Sequence, residues 1–193
     1  KEDSLMGVMP VNKAFWSMAA PALLSLPARA VYNLVDTAYL GMLDDKRILA
    51  AIGIVYPIIM LISAFETILA QGVIILVGKK LGSNEKEAAE SVVSTVLVTS
   101  VAISILFCFF GIVFMEPILS AFGATESLMD YARQYSFWLF IGMVVSTPGG
   151  VLNNSARGES AMKIAANAVM IGTILNVVID PFFIFGWGLG MGV

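Results

Sequence analysis

The chain has 193 residues, of which 59% are hydrophobic and 13% charged, with a mean hydropathy of +0.89; a soluble domain needs roughly a quarter of its residues charged to cover its surface, so that class is excluded. Acidic residues outnumber basic ones 14 to 11 and histidine is absent, which excludes the basic footprint of a nucleic-acid partner and any imidazole relay. The single cysteine, Cys108, lies in an apolar run and has no partner for an internal disulfide; it reads as a small apolar filler.

The opening stretch KEDSLMGVMPVNK is polar and has no short apolar core followed by a cleavage site, so no signal peptide is expected. About 20 apolar residues suffice to cross hydrocarbon as a helix, and five segments of the chain meet that length in order. The first span covers 14–43, interrupted by Pro21, Pro27, Arg29 and Asp36, and its prolines predict a kink. The second covers 48–78 and carries Glu66 and Gln71; the turn GKKLGSN follows, where Ser83 or Asn84 is expected to cap the next helix with Glu87 at capping-box distance. The third, 91–115, has no charge at all. An amphipathic linker from Glu116 to Arg133, broken at Gly123, leads to the fourth span, 134–154, where Asn153, Asn154 and Ser155 are expected to cap its end. The fifth covers 165–185. The predicted fold is an all-α integral membrane bundle of five transmembrane helices, with membrane lipid as its surroundings.

Seven basic residues (Lys1, Lys13, Lys79, Lys80, Lys86, Arg157, Lys163) flank the spans on one side and three (Lys46, Arg47, Arg133) on the other. Lysine and arginine accumulate on the cytoplasmic side, so the N-terminus is predicted to be cytoplasmic and the location a cell (inner) membrane crossed several times.

Polar residues inside these spans are the candidates for function. Asn176 and Asp180 stand four apart and share one helix face; Pro181 removes a backbone donor, so the carbonyl of Val177 loses its usual partner. A carboxylate, a carboxamide and freed carbonyls are the ingredients of a proton or small-cation site. Tyr32 and Asp36 repeat a polar-then-acidic pattern at helical spacing in the first span. Asp36 lies eight residues before Asp44 and Asp180 six before Gly186, which puts each about 9 to 12 Å inside the same membrane face. Two carboxylates at one depth favour binding H⁺ or Na⁺, and the residues leave both ions open. Glu66, Gln71 and Asn153 are candidate polar residues of a cavity; the structural readings are Glu66 facing water near the inner side, Gln71 as interhelical glue and Asn153 as a helix cap.

YNLVDTAYLG after a proline-bearing first helix, the GKKLGS turn, the RG turn after the fourth span and LNVVIDPFFIFG in the fifth together resemble the multidrug and toxic compound extrusion (MATE) family, most closely its DinF-like branch. The resemblance implies five helices of a six-helix lobe, with a second six-helix lobe expected as partner from a missing part of the chain. It implies a secondary antiporter, not an enzyme, that exports organic, often cationic, drugs in exchange for H⁺ or Na⁺ and needs no cofactor beyond that ion. Carried over, Asp36, Asn176 and Asp180 match the family's cation site, Tyr32 a tyrosine beside it, and Pro21 the first-helix proline where bending is proposed; a second bend is expected at Pro181 from its missing backbone donor. The alternatives are a lipid-linked sugar flippase of the same superfamily, whose cavity would be lined by cations, and a non-transporting membrane assembly subunit.

Overall fold

The computed structural model describes residues 46–184 continuously, with backbone alone at Lys46 and 180–184, together with scattered positions between Pro10 and Tyr39. Tyr32, Asp36, Pro21, Asn33 and Arg29 lie outside the described residues, as does the uncharged tail after Ile184. The chain divides into two compact units, one made of 1–38 with 160–192 and the other of 39–159.

From Lys46 on, the described residues of the second unit form four helices: α1 (Lys46–Gly82), α2 (Lys86–Val113), α3 (Met115–Ala121) and α4 (Glu126–Gly158). α1 has 37 residues and α4 has 33, so at about 1.5 Å per residue each is longer than the roughly 30 Å of hydrocarbon it must cross. In the other unit α5 runs Met162–Ile184, and the described residues between Asn12 and Ala38 are helical. Among the described residues four helices are long and apolar enough to span a membrane: Arg47–Gly82, Lys86–Val113, Glu126–Gly158 and Met162–Ile179. The protein is a multi-pass, all-helical membrane protein.

The helix ends show where local sequence rules held and where they did not. After α1, Asn84 adopts φ +60°; its N–H donates to the Leu81 carbonyl and that of Glu85 to Lys80, each at 2.9 Å. This is a Schellman closure with asparagine in the left-handed position. Asn84 therefore ends α1, and α2 starts after Glu85 with no side-chain cap, so the expected cap by Ser83 or Asn84 is corrected. Gly123, at φ +92°, closes α3 in the same manner, with Gly123 N–H to Ser120 and Ala124 N–H to Leu119. The amphipathic linker is thus the short α3 plus the first two turns of α4, which begins at Glu126. At the far end α4 continues to Gly158. Asn154 Nδ2 donates to the Gly150 carbonyl and Ser155 Oγ to that of Leu152, both at 2.8 Å, so these side chains bond within the helix and do not cap it.

α1, α2 and α4 each pack on the other two, most extensively α1 on α4. In lipid the drive for this is close van der Waals contact, since an apolar surface gains little by leaving an apolar solvent. The contact row on α1 reads Ala51, Val55, Ile58, Ile62, then Glu66, then Leu69, Val73 and Val77, a spacing of three and four that keeps one stripe toward a partner helix. On α4 the buried row is Ala132, Ser136, Phe140, Met143, Thr147, Val151 and Ser155. Small residues on α2 (Ala89, Ser100, Ser104 and Gly111, all buried) let it approach closely. Ser100 and Ser104 hand their hydroxyl protons to Leu97 and Val101 of their own helix. Cys108 packs against the apolar cluster around Leu119 and Phe140, in agreement with its reading as a filler.

Candidate functional site: a carboxylate in the helix seam

Glu66 stands near the middle of α1, inside the contact row, with Ile62 one turn before it and Leu69 one turn after. Ser146 Oγ donates to its Oε1 at 2.9 Å and Thr147 Oγ1 to the same oxygen at 3.0 Å. Thr147 is 2% exposed; Glu66 is part-buried and Ser146 is open on one side. The level separates two apolar clusters, one holding Val55, Ile58, Leu119 and Phe140 and the other Val73, Val77 and Val151. Beside it the rings of Phe65 and Phe107 meet at 5.1 Å and join α1 to α2. Pro148 follows Thr147 inside α4 and takes one backbone donor out of the helix at this level.

Gln71 is exposed on α1, five positions and about 140° round from Glu66. Asn153 is part-buried, six positions past Thr147 on α4, and so on a different face. Glu66 is thus brought together with Ser146 and Thr147, not with either of them. Ser146 and Thr147 were missed by reading polar residues one at a time. Their signal was the S-T-P triplet within FIGMVVSTPGG.

In the other unit Asn176 is a part-buried residue of α5, and Asp180 follows one turn later within the same helix. α5 carries on through Pro181 to Ile184, so Asn176 and Asp180 lie within the helix body and not at its cap. The side chains of Asp180 and Pro181 are outside the described residues.

At the end of unit two opposite α1's last turn, charge is paired in the ordinary surface manner. Arg133 meets Glu116 at 3.1 Å and the Arg47 guanidinium sits 5.2 Å from the centre of the Tyr131 ring.

The profile of the MatE family matches residues 21–193. The chain belongs to the MatE family. Among curated relatives it is 27% identical over 180 residues to the FAD transporter of Shewanella oneidensis, covering 93% of this chain and 39% of that protein. It is 20% identical over 182 residues to the multidrug export protein MepA of Staphylococcus aureus, covering 94% and 40%. It is similar to the crystal structure of a MATE protein in complex with MaD3S, with a TM-score of 0.86, 27% identity, and coverage of 93% of this chain and 40% of that one. An outward-facing multidrug resistance MATE family transporter matches at TM-score 0.85 and 27% identity, again over 93% and 40%. These MatE relatives are transporters, not enzymes. The chain spans about two fifths of the length of the relatives it matches.

Proposed function

We propose that this MatE chain is the N-terminal part of a secondary antiporter that exports organic cations in exchange for H⁺ or Na⁺, in a cell membrane with the N-terminus cytoplasmic. A second helical lobe would complete it, in keeping with its two-fifths share of its relatives' length. The coupling ion would bind among Asp36, Asn176 and Asp180 with Tyr32 beside them, and the first helix would rearrange near Pro21. Coupling is electrostatic: neutralising the carboxylates removes their attraction for a cationic solute and changes which helix packing is stable. The observation that carries this reading is the family match over 21–193, which takes in both acidic motifs, YNLVD and NVVID.

The FAD transporter of S. oneidensis supports a second reading, export of an anionic cofactor. The acid at mid-length of α1, with no Lys or Arg between Arg47 and Lys79, favours the cation.

Asp36→Asn is expected to reduce coupled efflux of a cationic dye, in an efflux-deficient strain expressing the protein, to the empty-vector level at unchanged membrane abundance. Full resistance retained by that variant refutes the antiport assignment.

A further inference from the structure

Five hydroxyls in the second unit bond back onto their own helix. Thr67 donates to Ser63, Thr99 to Thr95 and Ser100 to Leu97, each at 2.7 Å; Ser104 donates to Val101 and Ser155 to Leu152. Such back-bonding is the default for a hydroxyl inside a helix. Ser146 and Thr147 do the opposite and cross to one oxygen of Glu66. The two donors occupy both lone pairs of Oε1 and hold the carboxyl group in one orientation, with Oε2 outside this pattern.

The other oxygen, Oε2, accepts no hydrogen bond from any described residue, and no described Lys or Arg forms an ion pair with it. Along α1 the nearer basic residue is Lys79, thirteen positions or about 20 Å away; along α4 Arg157 is ten positions or about 15 Å beyond Thr147. A carboxylate at mid-span with no countercharge among the described residues is expensive in a membrane, and such residues mark ion or substrate paths.

We propose that Glu66, oriented by Ser146 and Thr147, is the contact for the charged centre of an organic cation, through Oε2. The inference rests on the transport reading above and names a substrate contact separate from the coupling-ion residues. A small hard cation is a poor fit, because it needs about six oxygen ligands, and no group of three or more Asp, Glu, Cys or His side chains gathers among the described residues. A phosphonium or ammonium carrying its own hydrocarbon needs one anionic contact and apolar surroundings, here Ile62, Leu69 and the Phe65–Phe107 pair. The competing role is a polar layer that only sets the register of α1 on α4. That role does not depend on charge, since glutamine offers the same two hydroxyls an acceptor.

The test is equilibrium binding of tetraphenylphosphonium and of the neutral triphenylphosphine oxide to the whole protein purified in detergent, native and Glu66→Gln. The expected result is at least about a tenfold loss for the phosphonium, the size of one charge-assisted contact, with the neutral probe unchanged. Unchanged phosphonium affinity, or absence of phosphonium binding by the native protein, overturns the proposal. So does an equal loss for both probes in a variant that keeps its thermal transition. For the case in which Glu66→Gln does not fold, carbodiimide modification of Glu66 in the native protein at mildly acidic pH, resolved by peptide mass, gives a second readout. Protection by the phosphonium alone supports the site, and equal yields with and without it, nil included, overturn it. Neither readout involves ion coupling, so a failure here leaves the Asp36 experiment to decide the antiport reading by itself.

Discussion

Gly111 offers the sharpest test of how α2 and α4 pack. It is buried on α2, and a Cβ built there would lie 2.5 to 2.6 Å from three ring atoms of Phe140. Carbon atoms rest at about 3.5 Å or more, so Gly111→Ala requires the ring or the helix to retreat by about 1 Å. Phe140 has little freedom to do so, being 4% exposed and set among Ala51, Val55, Ile58, Met115 and Leu119. Overpacking of this kind costs about 1 to 3 kcal/mol, and for a chain of this size about 2 to 4 °C of Tm goes with each kcal/mol. The expected fall is therefore about 2 to 12 °C. Cys108 lies one turn earlier on α2, part-buried against the same cluster. Its modification by a maleimide dye during a temperature ramp in detergent reports when that packing opens. Phe140→Leu removes the ring atoms in the way, so the double variant should recover at least about 1 kcal/mol relative to the sum of the single changes. A Gly111→Ala protein with unchanged Tm, or one that Phe140→Leu does not rescue, refutes the close approach.

Other substitutions test single features of the same unit. Ser136 is fully buried on α4 and its Oγ has no hydrogen-bond partner among the described residues; Ser136→Ala is expected to be neutral or to stabilise by up to about 1 kcal/mol, and a clear drop in Tm contradicts this. At Asn84, φ +60° favours glycine, so Asn84→Gly should match or slightly exceed the native Tm while Asn84→Ala loses about 1 kcal/mol. Equal stability of the two variants in the same thermal assay counts against the Schellman closure.

The sequence by itself determined the class of molecule. Apolar runs separated by short charged turns leave a helical membrane protein as the arrangement that satisfies every backbone donor in lipid, and four of the expected crossings are helices in the structure. The break at Gly123 was legible because a positive φ selects glycine strongly. Asn84 was misread because asparagine serves both helix starts and left-handed helix ends, and only the backbone path distinguishes them. The acid at Glu66 was visible in the sequence, but its partners were not. Ser146 and Thr147 lie 80 and 81 residues away, and nothing local says which face of α4 meets which face of α1. Tertiary packing decided that, by aligning two stripes of three-and-four spacing so that one polar level fell opposite another.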